Sequence, residues 1–422
     1  MSSNQKEQDM ILNQQLAVKF LASCDAVDLS EARSITDVAA ETLARCHEGD
    51  LFLAGLTELS NEAAKSLAKV KGGLNLGGLI SLPTDIAEAL AKHQEELHFA
   101  GLTELSDEAA KSLAKHKGGL YLDGLTGLSN QAAKAIAMHR GRILSLRGVT
   151  HLSAGAVEAL AKHKEELHLN GLTDLSEKAA ELLAKHKGIL SLNGLADLSD
   201  RSIENLAKHE EALCLDGLKE LSYSAAQALA NHKGVLSLKG LTGLSDRAID
   251  NLAKHEEALY LDGLTELSDL AAQAFAYHEG FLSLKGLTKL SDQVSAALAG
   301  RKGDISLTGL TTLSEKEVKV FANHEGLLSL DGLTVLPDAA AEALAKHRGT
   351  LSLAGLTSLS NQAAEALSKL KGELWLTGLT KLSDEAAAAL AKYEGDTLWF
   401  DSRTEMSDAA EEALRSAPVI WH

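Results

Sequence analysis

LHFAGLTELSDEAAKSLAKHKGG, residues 97–119, is one of sixteen versions of a single phrase. Its opening residue recurs at Leu51, Leu74, Leu97, Leu120, Leu144, Leu167, Leu190, Leu213, Leu236, Leu259, Leu282, Ile305, Leu328, Leu351, Leu374 and Leu398, in steps of 23 residues except two of 24. A decayed version, Leu29 to Asp50, precedes them. Such a period marks a stacked repeat, in which each unit hides its apolar edge only against its neighbours. Length alone would suggest several globular domains, but 422 residues built this way need no single core.

Two spacings share each phrase. Numbered from the opening leucine, slots 1 and 3 alternate as a short strand with both side chains inward. Gly at slot 5 supplies a turn, and Leu at slot 6 continues the core. Ser at slot 10 is a helix N-cap, followed by Asp, Asn, Glu or Gln at the positive end of the helix dipole. Where Pro83 and Pro337 replace that Ser, Thr84 and Asp338 are expected to cap instead. Ala, Ala, Leu and Ala at slots 13, 14, 17 and 18 form one helical stripe, and Gly two residues past the slot-20 His stops the helix in many repeats. Strands stack about 4.8 Å apart, whereas helices need roughly 8–10 Å. The fold predicted is therefore an α/β solenoid, a horseshoe with parallel strands on the concave face and helices on the convex face. Sixteen strands give an inner arc of roughly 75 Å from the strand spacing.

These units resemble leucine-rich repeats over about Leu29 to Ala413, and their helical half is similar to the GALA type of bacterial effectors. Gly155-Ala156-Val157-Glu158-Ala159-Leu160-Ala161 carries that likeness, and most repeats read Ala-Ala-x-x-Leu-Ala there. The resemblance implies protein–protein binding as a class. Two departures limit it. The family's Asn ladder after the strand is missing, with Gly-Leu-Thr in its place, so hydroxyls such as Thr57, Thr103, Thr126 and Thr173 are expected to stitch the turns. No F-box-like segment precedes the repeats, so a ubiquitin-ligase adaptor role does not carry over. The domain plan expected is an N-terminal helical cap over residues 1–28, with an amphipathic helix around Ile11 to Leu21, the solenoid over 29–413, and a C-terminal cap over 414–422.

Composition excludes several function classes. The net charge is -18, with acids and bases interleaved along the chain. That pattern promises no basic stripe for phosphates, so nucleic acid is not an expected partner, and a basic protein is the better electrostatic match. Cys24, Cys46 and Cys214 make no disulfide framework. No apolar run reaches the roughly 18 residues of a membrane span. Leu21-Ala22-Ser23-Cys24 has the form of a lipoprotein cleavage box. Asn13, Gln14, Gln15 and Lys19 interrupt the apolar segment a signal peptide would need, so cytoplasmic residence is expected. No phosphate loop, nucleophile elbow or zinc-protease motif is present, so the chain reads as no enzyme, with no cofactor and no metal.

Three constellations remain. Twelve of 16 histidines occupy slot 20, among them His47, His93, His116, His139, His163 and His347. The same slot holds Val70, Arg301, Leu370 and Tyr393, which share bulk but not ligand chemistry. The slot therefore reads as structural, a ring stacked on the repeat below and bonded to a carbonyl, with some acid sensitivity. Slots 2 and 4 point away from the core. The residues expected to bind a partner there are His98, Tyr121, Asp123, Arg147, His168 and Asn170 in repeats 3 to 6, with Tyr260, Trp375 and Trp399 further on. Asp216, Lys239, Asp262 and Lys285 read as cross-strand pairs before a recognition stripe. Ser283, Ser306, Ser329 and Ser352 make a regular hydroxyl array, and Trp421 reads as an end cap. The function expected is a monomeric, non-catalytic scaffold gripping a protein or peptide on its strand face. The alternative is a structural element that self-assembles through its ends or helix side.

Overall fold

Alternating leucines of one rung can be buried only by the next, and the computed structural model shows that arrangement. It describes residues 10–46 and 48–421, without the side chains of Asp25 and Cys46, so His47 lies outside the described residues. The chain divides into two units, residues 1–215 and 216–422. In the first, eight two- or three-residue strands from Leu51–Phe52 to Leu213–Cys214 pair in parallel and in chain order. In the second, the strands from Leu236–Ser237 to Val419–Trp421 do the same. Every strand is followed by a helix except the last, Val419–Trp421. Each unit is thus a layer of strands against a layer of helices, the leucine-rich-repeat solenoid architecture.

The register is slot to slot: Leu97 pairs with Leu120, and His98 with Tyr121. Leu97, Phe99 and Leu102 of one rung are completely buried, as are Ala109, Ala110 and Leu113 of its helix. Each such leucine contributes roughly 1.5–3 kcal/mol of burial. That burial holds the helices, because a seven-residue helix such as Asp107–Leu113 would not persist alone. Its cap is as expected, with the Ser106 hydroxyl accepting from the Ala109 N–H at 3.2 Å.

A second line of bonds joins these caps along the stack. The Ser129 hydroxyl donates to Asp107 at 2.6 Å, Ser268 to Asp246 at 2.5 Å and Ser407 to Asp384 at 2.6 Å, each carboxylate belonging to the preceding helix start. The proline rungs depart from expectation. Pro83 and Pro337 themselves occupy the cap position without a side-chain bond, and Thr84 and Asp338 begin the helices. Proline presets an extended residue ahead of the helix, and Asp338 is occupied as the acceptor for Ser360.

The glycines also work differently from expectation. No described residue has a positive φ, so neither slot 5 nor the Gly after the His is a left-handed turn. Both are sites of close backbone approach between rungs. A Cβ on Gly171 would collide with the Arg147 carbonyl, and one on Gly188 with the Glu165 carbonyl. Threonine hydroxyls stitch a few turns, as Thr57 to Arg33 at 3.3 Å and Thr380 to Thr357 at 3.0 Å. At Thr126 and Thr173 it is the backbone N–H that reaches the preceding rung.

At the start, Met10–Leu12 is a strand, the helix spans Gln14–Ala22, and the strand pairs in parallel with Ala32–Ile35. At the end, Trp421 is half exposed and stacks on the buried Phe400 at 5.5 Å. No described helix is long and apolar enough to cross a membrane.

Candidate binding surface

Slots 2 and 4 divide into two kinds of position. Ser145, Ser191, Ser237, Ser283, Ser306, Ser329 and Ser352 all sit in slot 2, and all are buried. They line no surface, and the expected hydroxyl array is sealed. The reason is a ladder. Asp123 accepts from the Ser145 hydroxyl at 2.5 Å and from the Arg147 N–H at 3.1 Å. Asn170 does the same for Ser191 and Asn193, and Asp331 for Ser352 and Ala354. A slot-4 carboxylate or amide thus ties one rung to the next, the work that the missing Asn ladder would do elsewhere. Asp216 and Lys239 meet in this way, through the lysine N–H at 3.0 Å. The Lys239 ammonium lies 5.0 Å from the centre of the Tyr260 ring.

Where slot 2 is not serine, larger side chains stand partly exposed. In the first unit His98, Tyr121, Ser145 and His168 form one row on four successive strands. His98 stacks on Tyr121 with ring centres 4.1 Å apart and planes 9° apart. Glu96 holds both, 3.3 Å from the His98 Nε2 and accepting from the Tyr121 hydroxyl at 3.4 Å. Burial first, then Glu96, push the Tyr121 hydroxyl above its usual pKa. At the other end of the row the Arg147 guanidinium is 3.3 Å from the His168 Nδ1. Arginine can only donate, so that nitrogen accepts and the ring proton sits on Nε2, 3.7 Å from Glu166. Burial and then Arg147 hold His168 below the usual histidine range, so it is neutral at pH 7. Arg142 donates to Glu166 at 3.0 Å.

The structure therefore brings His98, Tyr121, Asp123, Arg147, His168 and Asn170 into one patch, with Asp123 and Asn170 spent on the ladder. Glu96 and Glu166 belong to this patch and were missed by the sequence reading. Strand alternation could have found them, since a residue two before slot 2 faces the same way. Tyr260, Trp375 and Trp399 lie in the second unit. Tyr260 tilts against Phe281 at 5.5 Å. Trp375 packs on Trp399 at 6.0 Å and donates to Glu373 at 3.2 Å.

Within each unit the histidine slot forms a column of stacked rings. From His93 to His209 the imidazoles stack in parallel, with centres 5.9 to 6.2 Å apart, and His232, His255 and His278 repeat the arrangement in the second unit. His278 lies 2.7 Å from the His255 carbonyl, and His186 lies 2.8 Å from that of Glu165. Desolvation, then neighbouring rings, depress the pKa values of His139 and His255 to about 4. Arg301 takes the slot once, fully buried, donating to the carbonyls of His278 and Gly280 at 2.9 and 2.6 Å. Its pKa falls to about 10 through burial, so it stays charged. Among the described residues no group of three or more His, Cys, Asp or Glu could hold a metal ion.

One expectation about charge fails. Slot 21 of repeats 3 to 6 holds Lys117, Arg140, Lys164 and Lys187, all exposed. Stacking gathers into one file the cations that the sequence interleaves with acids, so a basic stripe does exist.

No family model and no curated protein matches this chain. Among solved structures it is similar to a leucine-rich-repeat protein of Leptospira interrogans, at 21% identity over 96% of this chain and 98% of that one, TM-score 0.37. An internalin of Listeria monocytogenes matches at 16% identity over 96% and 93%, TM-score 0.25. TLR13 in complex with a single-stranded RNA matches at 14% identity over 92% and 76%, TM-score 0.40. All three superpose weakly, and the fold assignment rests on the rungs themselves.

Proposed function

We propose that this leucine-rich-repeat chain is a non-catalytic scaffold that binds a protein or peptide on the strand face of repeats 3 to 6. One contrast carries the reading. Slot 2 is closed by a buried serine in seven rungs, Ser145 of this patch among them, while His98, Tyr121 and His168 around it stand partly exposed. Aromatic rings and arginine are the side chains that concentrate binding energy. Here they are also held before any partner arrives, Tyr121 by stacking and Glu96, Arg147 by His168. Fixed side chains lose little entropy on binding. Glu96 and Glu166 give the patch an acidic rim, which suits a partner with basic side chains.

The test is affinity purification from the native source with the wild-type chain and with the triple variant Tyr121→Ala, Arg147→Ala, His168→Ala. A partner held by the first and lost by the second, at unchanged circular dichroism, supports the site. Equal retention by both refutes it. If light scattering instead shows association growing with concentration, and nothing else co-purifies, the chain is a self-assembling element.

A further inference from the structure

The basic file at slot 21 is not explained by the strand-face reading, and it lies beyond the helices. Lysines at slot 19, such as Lys162 and Lys185, sit at the negative helix ends and have partners: Lys162 pairs with Glu158 at 3.3 Å and Lys185 with Glu181 at 3.5 Å. Slot 21 follows the buried histidine, past the helix end, where the dipole no longer accounts for a cation. Among the described residues Lys117, Arg140, Lys164 and Lys187 form no ion pair. Lys162, Lys164, Lys185 and Lys187 line one cleft of about 420 Å³ together with Glu158.

We infer that this file docks an extended acidic peptide segment of a partner protein. The spacing selects the ligand. The histidine rings that carry these residues are stacked 5.9, 6.0 and 6.1 Å apart from His116 to His186, so the cations repeat at about that interval. An extended chain places every second side chain on one side, about 6.4–6.8 Å apart. Carboxylates at alternate positions therefore meet successive rungs. A single-stranded nucleic acid would want aromatic platforms for its bases, and slots 19 to 22 of these rungs have none beyond the buried histidines.

Fluorescence anisotropy at low salt tests this with the full chain and a labelled ten-residue peptide of alternating Glu and Thr. The comparators are a peptide of the same composition with its glutamates in one block, and a ten-nucleotide oligo-dT. The alternating peptide should bind several-fold tighter than the block. The double reversal Lys164→Glu, Lys187→Glu should weaken it about tenfold, as expected for two exposed pairs turned repulsive. The same reversal at Lys302 and Lys346, equally exposed and equal in net charge, should change it far less. Equal binding of the two peptides, tighter binding of oligo-dT, equal effects of both reversals, or no binding of the alternating peptide each overturns the proposal.

Discussion

Replacing His139 with leucine should make the protein less sensitive to acid while leaving it folded at pH 7. The slot tolerates the change, because Leu370 and Val70 occupy it buried in other rungs. His139 is 3% exposed, between the rings of His116 and His163. Desolvation and those rings lower its pKa from the ordinary 6.5 to about 4. A histidine with a depressed folded pKa takes up its proton in the unfolded chain first. Its stabilising effect is therefore complete above about pH 6.5 and is lost as pH falls toward 4. For one such ring, linkage gives a loss of about 2 kcal/mol between pH 7 and pH 5. Urea unfolding followed by circular dichroism at both pH values measures it. The wild type should lose about 2 kcal/mol more on acidification than His139→Leu. The same pH dependence in both proteins, or a folded-state ring titration near 6.5 by NMR, would refute the reasoning.

Two further predictions concern the joints between rungs. Gly171→Ala puts a methyl group against the Arg147 carbonyl and should cost about 1–3 kcal/mol in thermal or urea unfolding; a neutral result would mean that the rungs are not in close backbone contact. Asp331→Ala removes an acceptor used by Ser329 at 2.8 Å, Ser352 at 2.5 Å and the Ala354 N–H at 2.9 Å. It should cost about 1–3 kcal/mol, since Ser352 is buried. Asp331→Asn should cost less, because Asn170 fills the same role for Ser191, and equal losses in the two variants would count against the ladder.

Much of the fold was legible because one spacing is repeated many times. The leucines of slots 1 and 3, the alanine stripe and the serine caps each follow from local periodicity, and all stand where the sequence places them. What stayed hidden depends on the neighbouring rung. The slot-4 acceptor also bonds the slot-2 serine of the next rung, so Asp123 with Ser145 and Asp262 with Ser283 look like drift until the rungs are stacked. The reading of slot 5 failed for the same reason, since glycine there answers to a carbonyl one rung away and not to its own φ. Charge was misread likewise: Lys117 and Lys164 are distant in sequence, and only stacking brings them into one file.

Amide hydrogen exchange followed residue by residue tests the stacked-rung account most directly. The N–H of Leu97 donates to the Gly119 carbonyl, that of Phe99 to Tyr121 and that of Leu122 to Ser145, all at 2.8 Å. The account predicts slow exchange at the first and third residue of every rung, recurring with the 23-residue step. Fast exchange at these amides, with protection gathered elsewhere in the chain, would contradict it.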